Sequence, residues 1–376
     1  MRRYATLLVG LLLVTSLVGA APAAGATSAA TSEHCTFPVT VTDATGTEVT
    51  LEERPERVVT TNPSAAQTMW EIGGRGQVVG LTQYASYLDG SESRTNVSAG
   101  FGVSVETVVG ANPDLVVAPN ASAGDVEPLR EVGLTVYHLR AAEDIDDVRE
   151  KTTTIGRITG NCQGAAEANA WMDANVEAVR DQTADVEDRP EVLYPLGGGY
   201  VVGGATFIDA MLDLAGADNV AARNLTGYPQ LSDEVLLTLD PEVLVLAAGD
   251  EALVTQEPYA STTAGETNST VVVERRWLNQ PAPRSVVFAA HNLTRQLYPE
   301  RYDADSYVSR SAVAVDTETE TATATVTETG TEEVTPAPPA RTTSAATTAG
   351  QSGPGFTPLA ALVAALAVSL LAVRRR

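Results

Sequence analysis

The sequence predicts an α/β protein with two lobes of similar plan joined by a long helix. Strand-like and helix-like segments alternate in both halves of residues 34–309, which is typical of parallel sheets covered by helices. Between the halves, residues 143–189 show helical spacing without a strand signal. One helix–turn–strand phrase also occurs twice, as "VSVETVVGANPDLVVAP" (103–119) and "LSDEVLLTLDPEVLVLAAG" (231–249). Two lobes of one plan imply a cleft between them.

The first lobe is predicted over residues 34–142. "FPVTVTDATGTEVTL" (37–51) alternates apolar and polar residues, as a β-hairpin does. "NPSAAQTMWEIGG" (62–74) carries the start and stop signals of a helix, with Asn62 as cap, Pro63 in the first turn and a glycine end. Strands are predicted in "RVVTT" (57–61), "QVVGLTQY" (77–84), "DLVVAP" (114–119) and "TVYHL" (135–139), and further helices in "VSVETVVGA" (103–111) and "DVEPLREVG" (125–133).

The linking region, residues 143–189, contains "DIDDVREKTTTIGRITG" (144–160) and a helix from Cys162 long enough to cross between lobes. The second lobe is predicted over residues 190–309. Its strands are "EVLYPLG" (191–197), "VAARN" (220–224) at an edge and "EVLVLAAG" (242–249), its helices are "FIDAMLDLAGA" (207–217), "SDEVLLTL" (232–239) and "SVVFAAHNLTRQLY" (285–298), and "TVVVERRW" (270–277) is a strand or loop.

Both ends of the chain carry export and anchoring signals. Residues 1–26 have an arginine pair, a short apolar run and Ala-x-Ala sites, as secretory signal peptides do. Residues 310–353 are rich in Thr, Glu and Pro and form a predicted disordered tether. Residues 354–376 join "PGF", an apolar segment long enough to span a membrane, and three arginines. This end resembles the PGF-type C-terminal sorting signal of archaea, and a simple tail-anchor helix is the alternative. The body is predicted to be anchored outside the cell membrane.

Composition narrows the class of partner. The formal net charge is −24, and Lys151 is the single lysine. A carboxylate surplus of this size argues against nucleic acid or anionic lipid as a partner and favours a surface adapted to high salt, an acidic secreted protein being the alternative. The exported surface also fits five Asn-x-Ser/Thr sequons, at Asn96, Asn120, Asn224, Asn268 and Asn292. Cys35 and Cys162, the two cysteines of the chain, suggest one disulfide.

The order of these segments resembles that of the binding proteins of ABC importers for cobalamin and ferric siderophores. The resemblance is carried by "RVVTTNPSAAQTMWEIG", "VSVETVVGANPDLVVAP", "LGGGYVVGGATFIDAMLDLAGADNVA" and "LSDEVLLTLDPEVLVL". It implies a class III periplasmic-binding-protein-like fold, two rigid lobes, a monomer, a cobalt or iron chelate in the cleft with no resident cofactor, and an ABC permease as partner. It also implies that Glu106 and Glu234 dock against arginine pockets of the permease. Each lies in the first turn of a predicted helix, where a carboxylate also serves as an ordinary cap.

Ligand-binding residues are expected in loops at the carboxyl ends of the strands. These loops carry aromatic and polar side chains that suit a flat macrocycle or catecholate chelate, with arginines able to pair with its negative charge. They are Asn62, Ser64, Tyr84, Phe101, Tyr200, Phe207, Tyr228, Arg275, Arg276, Trp277 and Asn279. Gln67 stands where the family often has Glu, and an aromatic residue is expected closer to Gly100. Both departures leave the chelate open.

Four other functions are alternatives to chelate binding. A zinc or manganese site needs several histidines, and the chain has His34, His138 and His291. Bare ferric ion held by Tyr84, Tyr87, Tyr200 or Tyr228 is an alternative, as is a non-transport surface protein. An enzyme is not expected, because the sequence lacks G-x-S-x-G, H-E-x-x-H and a phosphate-binding loop. "GGGYVVGG" (197–204) is interpreted as a flexible cleft wall, and no catalytic residue or metal ligand is predicted.

Overall fold

The computed structural model describes residues 35–313 of the 376-residue chain. The predicted signal peptide, most of the tether and the C-terminal segment lie outside the described residues. Within residues 35–313, no helix combines the length and hydropathy that a membrane crossing requires.

The N-terminal lobe is a five-stranded parallel sheet with a hairpin beside it. The hairpin pairs β1 and β2 antiparallel, as predicted. The sheet has the order β5-β4-β3-β6-β7, and every neighbouring pair is parallel. The strands are β1 Val39–Thr42, β2 Glu48–Leu51, β3 Val58–Thr60, β4 Val78–Leu81, β5 Thr95–Asn96, β6 Leu115–Ala118 and β7 Val136–His138, and the helices are α1 Pro63–Glu71, α2 Val105–Gly110 and α3 Ala123–Glu131.

The C-terminal lobe repeats the plan with four parallel strands in the order β11-β8-β12-β13 and an antiparallel β9–β10 hairpin. Its strands are β8 Glu191–Leu193, β9 Pro195–Gly197, β10 Tyr200–Val201, β11 Asp218–Asn219, β12 Val243–Ala247 and β13 Thr270–Val273. Its helices are α6 Phe207–Leu214, α7 Asp233–Leu239, α8 Thr263–Thr267, α9 Arg275–Asn279 and α10 Pro283–Leu297. The predicted two-lobed α/β fold is confirmed.

Two local predictions change. The edge strand expected at "VAARN" is wrong, because the strand is Asp218–Asn219 and the following residues form a turn that leads away from the sheet. The segment "TVVVERRW" divides into strand β13 and the start of helix α9. The strand predicted at "VAARN" was misplaced because the real strand, Asp218–Asn219, has only two residues, which are too few to show an alternating pattern.

The lobes are joined by two helices, α4 (Ile145–Thr159) and α5 (Cys162–Thr183). The long helix predicted from Cys162 is α5, and α4 runs beside it. In α4, Val148 packs into the core of the C-terminal lobe and Ile155 into that of the N-terminal lobe. In α5, Ala168 packs into the N-terminal core and Met172 into the C-terminal core. Each linking helix is therefore part of both cores.

Each sheet separates an inner layer, which contacts the linking helices, from an outer layer. In β3, Val58 faces the inner core while Val59 faces the outer one, because successive strand side chains alternate. The repeated phrase supplies the outer helices α2 and α7. Each begins at a serine cap, and the turns after them hold Asn112 and Asp240 at φ 47° and 40° before a proline. The second lobe therefore repeats the first in these turns as well as in its strand order.

The last described segment returns across the joint between the lobes. The backbone oxygen of Val308 accepts hydrogen bonds from Trp171 Nε1 (2.9 Å) and Asn175 Nδ2 (3.0 Å) of α5. Arg310 then lies over the Trp171 ring and donates to the backbone oxygen of Glu71 at the end of α1. This segment ties the C-terminal lobe to the N-terminal lobe.

Cys35 and Cys162 form a disulfide that joins the start of the described chain to the first turn of α5, with Cα atoms 5.7 Å apart. We expect the double variant Cys35→Ser/Cys162→Ser to lower the free energy of unfolding by about 2–4 kcal/mol. Removing a cross-link between residues 127 positions apart enlarges the denatured ensemble. Urea denaturation in high salt measures this change. Wild-type protein under reducing conditions is the control, and an unchanged free energy in both samples would contradict the expectation.

Candidate ligand-binding site

A cleft with a volume of about 560 Å³ opens between the two lobes. On the N-terminal side it is lined by loops that follow strands β3, β6 and β7. Since parallel strands place their carboxyl ends at one edge of a sheet, these loops meet there. The lining residues are Asn62, Ser64, Pro119, Asn120, Ala121, Arg140, Ala141, Ala142, Glu143 and Lys151 from the N-terminal lobe and α4, with Leu196, Ala205, Thr206, Phe207, Ile208, Gly227, Tyr228, Leu278, Asn279 and Pro281 opposite.

Helix α1 begins at this cleft. Its cap Asn62 accepts a hydrogen bond from the Ser64 amide through Oδ1 (2.9 Å), and Pro63 occupies the first helical turn, as the sequence predicts. Asn62 and Ser64 both line the cleft, and Ser64 is buried there.

Five of the predicted ligand-binding residues line the cleft: Asn62, Ser64, Phe207, Tyr228 and Asn279. Tyr228 is 54% exposed and belongs to the cleft lining. Phe207 lies at the start of α6, where it is buried in the core of the C-terminal lobe and also belongs to the cleft lining. Their role in binding stays a prediction.

Two further predicted residues lie at the same edge of the N-terminal sheet but outside the cleft lining. Tyr84 follows β4 and is 63% exposed, while Phe101 follows β5 and is 72% exposed. Exposed aromatic rings at the carboxyl edge of a sheet suit contact with an apolar ligand, and this role of Tyr84 and Phe101 stays a prediction.

Four predicted residues lie outside the cleft lining, and three of them contact another side chain. Trp277 packs against Phe288 with ring centroids 5.6 Å apart. Arg275 pairs with Asp250 at 2.7 Å. Arg276 lies 5.6 Å from the centre of the Tyr87 ring, and Tyr200 belongs to strand β10 beside the cleft wall. None of these four side chains is part of the cleft lining, whereas Leu278 and Asn279 of the same helix α9 are. A role of the four in binding stays a prediction.

Lys151 is a cleft residue that the sequence did not single out. It lies on α4 and is buried, and its Nζ donates to Ser64 Oγ (2.9 Å) and to the backbone oxygen of Pro281 (2.8 Å). Burial lowers the pKa of Lys151 to about 7. The one signal in the sequence was that an otherwise arginine-based chain has a single lysine.

Gln67 ties the two lobes together below the cleft. Its Nε2 donates to Ser285 Oγ of α10 (2.9 Å), and its Oε1 accepts from Tyr87 Oη (2.7 Å). An amide can donate and accept at once, whereas a carboxylate at this position would only accept. This explains why a glutamine fits here although the family resemblance suggests a glutamate.

Glu71, at the far end of α1, is the second polar tie between the lobes. Its buried carboxylate pairs with Arg284 of α10 (2.7 Å) and lies 3.7 Å from Arg310. Burial raises the pKa of Glu71 to about 7 against the opposing effect of the two arginines. The ion pair therefore joins α1 to α10 and to the returning C-terminal segment.

Glu106 and Glu234 occupy matching positions, each two residues after the serine cap of its helix. Both are exposed, on the outer layers of the two lobes. Exposed apolar side chains accompany them, with Val109 45% exposed on α2 and Val235 42% exposed on α7. A carboxylate in a first turn is stabilised by the free N–H groups there, which fits either a cap or a docking role.

The described histidines have structural partners. His138 contacts the backbone oxygen of Ala118 (2.9 Å), and His291 lies between Asn175 (2.9 Å) and Tyr302 (3.0 Å). His34 lies outside the described residues. Within residues 35–313, no group of three His, Cys, Asp or Glu side chains is arranged to hold a metal ion.

Two parallel α/β lobes that share linking helices and enclose a cleft define the class of solute-binding proteins with rigid lobes. Comparisons with known proteins agree. A family model for periplasmic binding proteins matches residues 58–276. The chain is 47% identical over 301 residues to a protein named cobalamin-binding protein from Halobacterium salinarum, covering 76% of this chain and 82% of that relative. The chain belongs to the periplasmic binding protein family.

More distant matches are also named as binding proteins. The chain is 26% identical over 277 residues to the uncharacterized ABC transporter substrate-binding lipoprotein YvrC of Bacillus subtilis, covering 71% of this chain and 87% of that protein. The solved structure of the periplasmic heme-binding protein RhuT from Roseiflexus aligns with a TM-score of 0.58 at 22% identity, covering 64% of this chain and 99% of RhuT. The structural match supports the fold.

We expect Arg284→Met to lower the free energy of unfolding by about 1–2 kcal/mol at pH 8, because it removes the nearer counter-ion of a buried carboxylate, which must then take up a proton. The folded-state pKa of Glu71 is raised above its unfolded value of 4.5, so stability falls as pH rises from about 4.5 to about 7, and the folded carboxylate is ionised only above that range. The loss should therefore shrink at pH 5.

Denaturation curves at both pH values measure this. Adding Glu71→Gln to the Arg284→Met variant should recover much of the stability at pH 8, since no buried charge remains. Arg189→Met, which breaks an exposed pair with Asp213, is the matched control and should cost less than about 1 kcal/mol. Equal losses at pH 5 and pH 8 would argue against an ionised Glu71.

Proposed function

We propose that the protein captures a metal chelate of the corrinoid class, such as cobalamin, in the interlobe cleft and delivers it to an ABC import permease. The observation that carries this proposal is the open cleft between the carboxyl edges of two parallel sheets, in a chain 47% identical to a protein named cobalamin-binding protein. The metal is part of the cargo. Catalysis is not part of the proposal, and the relatives are named as binding proteins.

The exposed aromatic residues would contact the flat face of the ligand. Tyr84 and Phe101 on one lobe and Tyr228 on the other offer apolar faces to a flat macrocycle. Asn62 and Asn279 add hydrogen-bonding groups inside the cleft, which suit the amide-bearing edge of a corrin ring. Two aromatic edges with polar groups between them match an amphipathic disc better than a bare ion.

Delivery would then depend on docking. The lobes share their cores through α4 and α5, so large closure around the ligand is not expected. Glu106 and Glu234 place one carboxylate on each lobe at matching positions. Two such charges, a fixed distance apart, would fit a pair of cationic pockets on a permease and set the orientation of the bound protein.

We also place the body at the outer face of the cell membrane as a monomer. Residues 1–26 would direct export, and the apolar segment with its terminal arginines would anchor the chain either directly or as a sorting signal replaced by lipid. These segments lie outside the described residues, so the sequence alone supports this part.

Titration of the full-length protein, purified in detergent and high salt, tests ligand capture. We expect cyanocobalamin to bind with micromolar or tighter affinity, and Tyr84→Ala and Tyr228→Ala each to weaken binding about tenfold, because each removes a stacking surface. Tyr307→Ala, which removes a tyrosine outside the cleft that is 40% exposed, is the matched control.

Haem, a ferric siderophore and ferric ion are titrated in parallel by absorbance. Tight binding of one of these without cobalamin binding would reassign the cargo, and ferric binding that depends on Tyr84 and Tyr228 would favour the bare-ion alternative. Folded protein that binds none of the four would overturn the chelate-binding function.

Docking is tested separately in cells or vesicles that contain the cognate importer. We expect Glu106→Gln/Glu234→Gln to reduce cobalamin uptake at least about tenfold while leaving the cobalamin dissociation constant unchanged, because both charges lie on outer helices. Glu48→Gln, an exposed glutamate on β2, serves as control. Normal uptake by the double variant would assign both glutamates to helix capping.

A further inference from the structure

Lys151 is a charged side chain held at the floor of a ligand cleft without a charged partner. It is 7% exposed, and it belongs to the lining of the cleft between the lobes. Lys151 Nζ donates hydrogen bonds to Ser64 Oγ and to the backbone oxygen of Pro281, and both acceptors are neutral. An ammonium group has three N–H donors, so one remains for a further acceptor.

The carboxylates near Lys151 form ion pairs with arginines and not with Lys151. On its own helix, Asp147 and Glu150 both pair with Arg140, at 2.5 and 2.6 Å. In the small cavity behind the cleft, Asp43 is paired with Arg130. Tyr137 and His138 also line that cavity, where His138 contacts a backbone oxygen, and Glu143 and Arg140 line the main cleft. Within residues 35–313, no ion pair joins Lys151 to a carboxylate.

This arrangement is costly unless something compensates for it. A buried ammonium without a counter-ion loses much of its hydration, and the depressed pKa of Lys151 has desolvation as its sole cause. A hydrophobic residue of similar size at this position would stabilise the contact between the lobes more than an unpaired ammonium does. A ligand anion in the cleft would supply the missing counter-charge.

Ser64 is placed to share such an anion. Its hydroxyl accepts from Lys151, and among the described residues it donates no recorded hydrogen bond, so its proton is available. It also lies in the first turn of α1, a nine-residue helix whose positive end points at the same spot. The lysine carries the charge, and the hydroxyl and the helix end add direction.

We propose that Lys151 and Ser64 form an oxyanion subsite at the cleft floor, and that in a corrinoid the bound group is the phosphodiester of the nucleotide loop. This inference rests on the proposed corrinoid-binding function. The peripheral amides of the corrin ring are neutral, which leaves the phosphodiester as the anionic group at the edge of the ligand. The lysine would therefore distinguish complete corrinoids from those without the nucleotide loop.

The pH dependence of wild-type binding tests this without any variant. An anion beside Lys151 raises its pKa, so binding takes up a proton and affinity falls as pH rises above about 7. From pH 6.5 to 8.5 we expect the dissociation constant for cyanocobalamin to rise about tenfold. The dissociation constant for cyanocobinamide, which lacks the phosphodiester, should stay constant. Parallel pH profiles for the two ligands would overturn the proposal.

Lys151→Met removes the charge and keeps an unbranched side chain of similar length. We expect it to weaken cyanocobalamin binding at pH 6.5 by at least about tenfold, to leave cyanocobinamide binding unchanged and to abolish the pH dependence. The matched control is Arg149→Met, which removes one positive charge from the same helix outside the cleft lining. It should bind both ligands as the wild type does.

The two corrinoids together distinguish failure of the oxyanion subsite from failure of the proposed corrinoid-binding function. Wild-type protein that binds neither corrinoid would overturn the proposed function itself. Binding of both corrinoids with equal losses in Lys151→Met would keep the function and overturn the oxyanion subsite, leaving the lysine a purely structural tie. Circular dichroism and thermal unfolding monitor folding of the variant, and the wild-type pH profiles decide the question if it fails to fold.

Discussion

The structure depends on α4 and α5 each being buried in two cores at once. Val148 and Met172 pack with the C-terminal lobe, whereas Ile155 and Ala168 pack with the N-terminal lobe. Moving one lobe away from the other would expose apolar surface on both helices, at roughly 25 cal/mol for each Å². The carboxyl edges of the sheets therefore stay facing each other, and the cleft exists before a ligand arrives. A preformed site loses less entropy on binding than one that must close.

Polar contacts at the joint then fix how the lobes face each other. Apolar packing tolerates small slides, but hydrogen bonds require particular distances and angles. Along α1, Ser64 meets Lys151, Gln67 meets Ser285 and Glu71 meets Arg284, so one short helix is held at three levels. The same helix supplies the cleft floor at its first turn. Binding geometry and lobe geometry are thus set by one element.

Much of the fold could be predicted because its signals are local. A few consecutive residues are enough to indicate each of these features: the Asn62 cap, the serine caps of α2 and α7, and the two helix–turn–strand units. The site was harder to predict because it depends on tertiary placement. Trp277 was expected in a cleft loop, yet it lies in helix α9 and packs on Phe288. Lys151 sits in a helix rich in polar residues, where a lysine normally indicates a solvated face, and its burial follows from the other lobe.

The returning segment that ends at Val313 also determines how the body would bear a mechanical load. Val313 packs against the C-terminal core, while Arg310, three residues earlier, holds the end of α1 in the N-terminal lobe. A pull applied through the chain beyond this point would enter at the joint and divide between both lobes. Tension on the C-terminal end would therefore load the helices of the joint before it loaded the cleft walls. Attachment at the outer edge of either lobe would lack this protection.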